Sequence, residues 1–392
     1  MESKQKQICY IGYTPTYSGS PDQSMAMEYI GKTADCHIDY YCWGINCENI
    51  FSNPDAFTFY YTKGNNIIAA LKFFINIARN ILFNKKYDVI YVQGAQLTPF
   101  VFWVPVIPFR KYKTVFHSQD FIEHNNRFYY FFERLFCRNV DTVIWNEPNR
   151  ARFVASDYEL KQMPIIIRTA LPSYFNFPEF SHNYRNLILK KAGVDIIQGN
   201  IMQYRIIFAG GAYRKTRMSP QLLDAFYSLP DNYILVFTGA IDNNNQVACD
   251  KHLKQIGKSD RIAFFPRLPF ADLLNIMAAS DIGILLYPNS CIGHYYQCPG
   301  RLGQYLRCGL RIVTVDYPNM ELLVLKYQLG AVANPLDPQS IANAILSIGE
   351  ITKEELSNQR SKMIELGKTT FAYENQGQKL FNILNLTPKG MN

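Results

Sequence analysis

Residues Gln297 to Tyr317 read Q-C-P-G-R-L-G-Q-Y-L-R-C-G-L-R-I-V-T-V-D-Y. Pro299-Gly300 opens the stretch, a short helical segment is expected over Arg301 to Arg307, and Cys308-Gly309 stops it. Proline suits the first turn of a helix and glycine its C-terminal cap. The apolar, β-branched run Ile312 to Val315 then predicts a buried strand. The first N–H groups of a helix have no partner inside it, so such a start attracts anions, phosphates above all. Strand-adjacent helices occur in many folds, and the neighbours settle what this one serves.

The chain has 392 residues, enough for two domains. Hydrophobic residues make up 48% and charged ones 18%, which predicts a globular protein rather than a disordered one. The 27 Tyr and 27 Phe predict large aromatic cores, with sugar-stacking or interfacial surfaces as the other use of such side chains. Forty Lys and Arg against thirty-two Asp and Glu give a formal charge of +8. The excess sits in small clusters, Lys85-Lys86 and Arg110-Lys111-Tyr112-Lys113, with no basic run of five and no zinc-finger spacing. Nucleic acid is therefore not expected as a partner. An anionic substrate or an anionic lipid surface fits the charge.

Nine cysteines without a C-x-x-C pair read as reduced cytosolic thiols. The apolar segment near the N-terminus is too short for a signal peptide. The run Leu97 to Phe109 is broken by Pro99, Pro105 and Pro108 and falls short of the roughly 20 residues a spanning helix needs. A cytoplasmic protein is expected, with peripheral contact on the inner face of a membrane left open.

Along the chain, strands are predicted at 8–13, 37–43, 89–92, 114–117, 142–145 and 165–167. A loop over 14–20 and a helix over 25–30 follow the first strand. Neither the dinucleotide pattern G-x-G-x-x-G nor the phosphate-loop pattern G-x-x-x-x-G-K is present. Residues 67–83 have helical periodicity, with Lys72 and Arg79 among the apolar positions, and suit either a core helix or one lying on a membrane. Short apolar strands with helical spacers argue for a parallel sheet covered on both faces. Residues 1–180 form the first domain on this reading, and 181–203, of weak periodicity, the linker. The rhythm restarts with strands at 205–209, 233–237, 262–265 and 282–287 and helices at 220–229 and 270–279. A helix start at Asp337-Pro338 and a last helix near 371–386 complete a second domain, 204–368, and a C-terminal segment, 369–392.

The second half resembles the nucleotide-sugar glycosyltransferases of the GT-B fold, in the group 1, family 4-like set. The resemblance rests on Ile206 to Gly210, the basic loop Tyr213 to Arg217, Leu222 to Phe226, Arg261 to Pro266, Asp272 to Asp281, and P-G-R-L-G-Q-Y-L-R-C-G-L-R-I-V. The last is similar to the family's P-x-K-x-x-E-Y-x-x-x-G-x-P-V. The closing Thr370-Phe-Ala-Tyr-Glu-Asn-Gln is similar to its final helix. The resemblance implies an α/β fold of two Rossmann-like domains facing a central cleft, the last helix crossing back to the first domain.

It also implies a donor nucleotide on the second domain. Gly210 would lie under its phosphates. Arg217 stands where the family usually has a lysine, with Arg214 and Lys215 nearby, and Pro266 and Arg267 would meet the base. Pro299, Gly300 and Arg301 would face phosphate, and His294 lies in a neighbouring loop. Tyr296 and Gln304 occupy the places of two customary glutamates. A glutamine can still hydrogen-bond a ribose diol; a tyrosine cannot imitate a carboxylate. In the first half the resemblance rests on the loop at Gly19 and on His117-Ser-Gln-Asp-Phe-Ile-Glu123. A histidine at the C-terminal end of a parallel strand faces the crevice where ligands bind. His117 and Asp120 are thus the catalytic candidates, with Asp120 or Glu123 as general base if the reaction inverts.

The implied activity is transfer of a sugar from a nucleotide-diphosphate donor to a saccharide or lipid-linked saccharide, in surface polysaccharide or glycoconjugate assembly. No Asp-x-Asp occurs, so no metal is expected, and no cofactor beyond the nucleotide sugar. Two alternatives stand beside it: a non-catalytic partner or chaperone of an active glycosyltransferase, and a sugar-nucleotide epimerase of the same architecture.

Overall fold

Short apolar runs alternating with helices form two parallel sheets. The computed structural model describes residues 5–12, 25–44, 51, 53–84, 86–120, 126–194, 201–256 and 260–389. In the first sheet β1 (Lys6–Gly12), β2 (Cys36–Gly44), β3 (Phe57–Lys63), β4 (Val89–Gln93), β5 (Lys113–Ser118), β6 (Thr142–Trp145) and β7 (Ile165–Ile166) lie in the order β3-β2-β1-β4-β5-β6-β7. In the second, β8 (Arg205–Phe208), β9 (Tyr233–Thr238), β10 (Ile262–Phe265), β11 (Ile282–Leu285), β12 (Arg311–Val315) and β13 (Gly330–Ala333) lie in the order β10-β9-β8-β11-β12-β13. The strand order reverses between β1 and β4 and again between β8 and β11. At such a point the connections diverge to opposite faces and leave a crevice at the C-terminal strand ends.

Met1–Pro172 with Tyr373–Asn392 form one compact unit, and Ser173–Ala372 the other. The central strands β1, β4, β8 and β9 are almost wholly buried. Helices cover both faces of a parallel sheet, so its strands read as unbroken apolar runs. The helix Glu374–Leu384 belongs to the first unit, as the resemblance implied. Its Gln376 side chain donates to the Arg168 carbonyl at 3.0 Å and accepts from the Arg168 N–H.

The stretch expected as a linker is built differently. Within 181–203 the helix His182–Lys191 packs in the second unit, its N-terminus capped by Ser181. Its periodicity is weak because an arginine, rather than apolar residues alone, fixes it. Arg185 is fully buried and grips Asp281 with both Nη atoms, at 3.1 and 2.9 Å. It also donates to the carbonyls of Ala279 and Tyr204, at 2.9 and 2.6 Å. Arg360, from the helix Lys353–Lys368, reaches Asp281 at 3.4 Å and the Ser280 carbonyl at 2.7 Å.

The edge strands β3 and β13 had no sequence expectation. Phe57–Lys63 is mostly half-buried and mixes aromatic residues with two threonines and a lysine, and Gly330–Ala333 is four short side chains, so neither carries a run of large apolar residues. Gly283 sits inside β11 for a packing reason. A Cβ there would lie 2.4 Å from the ring of Tyr305, so glycine supplies the space the tyrosine fills.

Candidate functional site

The site in the second unit begins where β8 ends. Gly210 follows in the left-handed region, with φ of 80°. A side chain there would be strained in backbone, and its Cβ would meet the Ile284 carbonyl and the Tyr305 hydroxyl at 2.9 Å. Arg301, the first residue of the helix Arg301–Arg307, holds its guanidinium over this turn. Its Nη1 is 3.5 Å from where the Gly210 Cβ would be and 3.7 Å from that of Gly211. That Nη1 is buried and has no hydrogen-bond partner.

Arg217 arrives from the short turn Lys215–Arg217 and lies 4.4 Å above the ring of Tyr287. Both arginines converge on the Tyr305 hydroxyl. Burial raises the pKa of that hydroxyl above its ordinary value, and the charges of Arg301 and Arg217 oppose the rise. Among the described residues neither arginine has an ion-pair partner. A buried donor without an acceptor is costly, and an anion is the acceptor that a guanidinium group fits best.

The structure thus brings Gly210, Arg217 and Arg301 together. His294 adjoins them through Tyr287, ring to ring at 6.1 Å, and its Nδ1 is hydrogen-bonded to Ser290 Oγ at 2.8 Å. Tyr296 ends the turn Ile292–Tyr295 and packs edge-on against Tyr295 at 4.9 Å. Pro299 and Gly300 lead into the arginine-bearing helix, and Gln304 lies on its buried side. Arg214 stands apart. It is exposed, and its backbone N–H donates to Ser219 Oγ at 3.0 Å. Pro266 lines a cavity of about 340 Å³ with Gly239, Tyr213, Cys249 and Phe264. One wall is the stacked pair Phe237 and Phe264, 5.3 Å apart and 10° from parallel. Gly19 lies outside the described residues.

Two participants had no sequence expectation. Tyr287 stands two residues past the end of β11 and is the platform for Arg217. Tyr305, part of the matched pattern, is the hydroxyl on which both cations converge. The pairing of Gly283 with Tyr305 was the available signal: a glycine within an apolar strand marks a close approach.

In the first unit His117 stands at the end of β5, fully buried and hydrogen-bonded through Nδ1 to the Tyr91 hydroxyl at 2.6 Å. Burial pushes its pKa down to about 3, so the ring is neutral at pH 7. Its Nε2 is buried without a partner. A neutral ring can hydrogen-bond a ligand through that nitrogen. Asp120 is exposed, and its carbonyl accepts from Ser118 Oγ at 2.9 Å. The Gln119 carbonyl between them is pinned by Asn146 at 3.1 Å and Arg150 at 2.7 Å. Glu123 lies outside the described residues.

Behind this loop is a buried carboxyl that sequence reading passed over. Glu133 accepts from the Tyr158 hydroxyl at 2.7 Å and from Ser118 Oγ at 3.3 Å. Burial nonetheless pushes its pKa up to about 8. A folded pKa above the unfolded one means the native state holds the extra proton. Stability is then greatest below the unfolded pKa of about 4.3 and falls as pH rises towards 8. Glu133→Gln is expected to remove that decline, a few kcal/mol at about 1.4 kcal/mol per pKa unit. Urea midpoints from pH 5 to 9 measure it. Equal slopes for both proteins would contradict a neutral Glu133.

No family model matches the sequence, and no curated protein matches it. Solved structures do. HepE of Anabaena in complex with UDP and glucose is similar over 97% of this chain and 100% of its own, with TM-score 0.71 and 14% identity. Sucrose-phosphate synthase of Thermosynechococcus elongatus matches over 97% and 98%, with TM-score 0.71 and 13% identity. A glycosyltransferase of Rickettsia africae matches over 97% and 99%, with TM-score 0.72 and 11% identity. Two seven- and six-stranded parallel sheets, a last helix returned to the first unit, and likeness over nearly the whole chain establish that this protein has the GT-B fold of nucleotide-sugar glycosyltransferases.

Proposed function

We propose that the protein transfers a sugar from a nucleotide-diphosphate donor to a saccharide or lipid-linked saccharide, in surface polysaccharide or glycoconjugate assembly in the cytoplasm. One observation carries the reading: Arg301 stands over Gly210, Arg217 lies above Tyr287, both charges act on the Tyr305 hydroxyl, and among the described residues neither has an ion-pair partner. As the glycosidic bond breaks, negative charge develops on the departing diphosphate, and preorganised cations stabilise it where they are needed. Two guanidinium groups supply that charge, so neither metal nor cofactor enters the proposal. Gln304 would hold the ribose hydroxyls as a neutral partner. HepE in complex with UDP and glucose makes uridine nucleotides the first donors to try.

The test is a melting-temperature screen against UDP, GDP and CMP, followed by hydrolysis of the matching nucleotide sugars. A nucleotide at 100 times its Kd stabilises by about 2.7 kcal/mol. That corresponds to a rise of about 5–10 °C where a unit the size of Ser173–Ala372 unfolds by itself, and about half that for the whole chain unfolding together. No shift with any nucleotide and no hydrolysis would sink the proposal. Tyr296, where a glutamate is customary, favours a second reading, a non-catalytic partner of an active enzyme. That protein would show the shift with no turnover, and Gln304→Ala would leave its function intact.

A further inference from the structure

The first unit exposes an apolar face far larger than single exposed residues make. Of the seventeen large hydrophobic residues exposed among the described residues, ten lie between Ile67 and Phe131. The helix Ile67–Arg79 carries four of them, because it has two apolar faces. Ala69, Phe73 and Ile77 recur every four residues and are buried. Ile67, Leu71 and Ile75 recur at the same interval on another face and stay in water, with Ile68 beside them. Leu82 and Phe83 prolong that stripe through the turn Asn80–Asn84.

The face continues past the helix. Phe74 meets Trp103 at 6.4 Å, and Phe102 meets Phe132 at 5.1 Å, so ring contacts join the helix, the 98–109 segment and the helix Arg127–Asn139. Phe128 and Phe131 project from this last helix. At the tip of the intervening segment Phe109 is 100% exposed and has φ of 54°, a conformation bulky side chains rarely adopt. The tip is held rigidly. Arg110 donates to the Pro105 carbonyl at 3.1 Å and the Tyr112 carbonyl at 2.7 Å, and pairs with Asp141 at 2.7 and 2.9 Å.

The two segments that carry most of this face hold charge of one sign in the sequence, with Asp141, beside Arg110, and Glu159, beside Arg134 and Arg138, as acidic neighbours from outside them. Residues 56–87 carry Lys63, Lys72, Arg79, Lys85 and Lys86 and no acidic residue; residues 89–119 carry Arg110, Lys111 and Lys113 and again none. A second copy of the chain would bring these like charges against each other across a two-fold interface. A nucleic-acid backbone has no use for protruding isoleucine and leucine. An anionic bilayer uses both features, apolar side chains entering the acyl boundary and basic ones meeting headgroup phosphates. No helix among the described residues is long and apolar enough to cross a membrane.

We infer that this face docks the protein on an anionic lipid surface, the helix Ile67–Arg79 lying in the plane of the interface and Phe109 inserted. The inference is independent of the donor site. It deepens the proposed function by bringing the protein to a lipid-linked acceptor.

Flotation of the full chain with vesicles tests it. Binding to phosphatidylcholine vesicles containing phosphatidylglycerol should exceed binding to phosphatidylcholine alone at least tenfold, and raised salt should weaken it. Each basic residue near such a surface contributes roughly fivefold. Lys72→Glu with Arg79→Glu should therefore lower binding by more than tenfold. Leu71→Glu with Ile75→Glu, and separately Phe109→Ser, should do the same, with melting temperature and nucleotide-induced shift unchanged. The inference fails if the wild-type protein ignores anionic vesicles at low salt, or if the variants bind like it. It also fails if light scattering finds a wild-type dimer that Leu71→Glu with Ile75→Glu splits, since a second copy then covers the face.

Discussion

Arg301→Ala should eliminate nucleotide binding and turnover while leaving the empty protein as stable as before, or slightly more so. The guanidinium stands over Gly210 and Gly211 with Nη1 buried and unpartnered. A buried unsatisfied donor costs about 1–3 kcal/mol, less where water reaches part of the group. Removing it relieves that cost and gives up the contact with the buried Tyr305 hydroxyl, so the two changes offset. The same removal deprives the donor phosphates of a charge-assisted contact. Loss of one such transition-state donor lowers kcat by about 10²–10³-fold. Melting temperature with and without UDP separates the two effects: an unchanged or raised midpoint without nucleotide, and no rise with it. Arg301→Lys should recover part of the binding, because a lysine keeps the charge and loses the planar fork. If Arg301→Ala keeps the full nucleotide shift, phosphate does not bind at this turn.

Asp281→Ala should cost the opposite quantity, stability, by about 3–5 kcal/mol. Arg185 is fully buried and Arg360 nearly so, and both aim at this carboxylate. Without it a guanidinium is left uncompensated inside the second unit. The pH dependence follows from the same geometry. Burial pushes the Asp281 carboxyl up, but Arg185, Arg360 and the Ile206 N–H outweigh it, and its pKa lies below the ordinary value. A depressed folded pKa means the stabilisation is complete above the unfolded pKa of about 3.9 and is lost as pH falls through the folded one. Urea midpoints at pH 7 and pH 3 should show a large gap between wild-type and variant at pH 7 that narrows in acid. Arg185→Met with Asp281→Leu should recover part of the loss, since an apolar pair can replace a buried ion pair while Arg360 keeps the carbonyls of Ala278 and Ser280. A loss below about 1 kcal/mol for Asp281→Ala would mean the triad is not holding the unit together.

The sheets were legible because their central strands are buried on both faces. Thr142–Trp145, flanked by strands on both sides, and the helix Arg301–Arg307 match their expected bounds residue for residue. The same rule explains the omissions. Phe57–Lys63 and Gly330–Ala333 are edge strands and lack the apolar signature. His182–Lys191 was hidden because Arg185, a charged residue, is its central buried contact. At the site the glycine and the arginines were legible as types and spacings. Tyr287 and Tyr305 were not, because a tyrosine in an apolar run reads as core until a strand end places it beside a cation. Of the two readings of residues 67–83, core helix and membrane helix, the structure speaks to the first. One face packs on the first unit and the other is free.

The return of the last helix to the first unit sets an order of synthesis. Ser173–Ala372 is continuous in the chain, whereas the first unit needs both Met1–Pro172 and Tyr373–Asn392. Leu380, Phe381 and Leu384 are buried, and Gln376 holds the Arg168 backbone, so this closing segment is part of that unit's interior. On the ribosome the unit begun first is finished last. The second unit can fold while the other waits for its final helix, and a chain truncated at residue 372 would keep one folded unit and leave the other open.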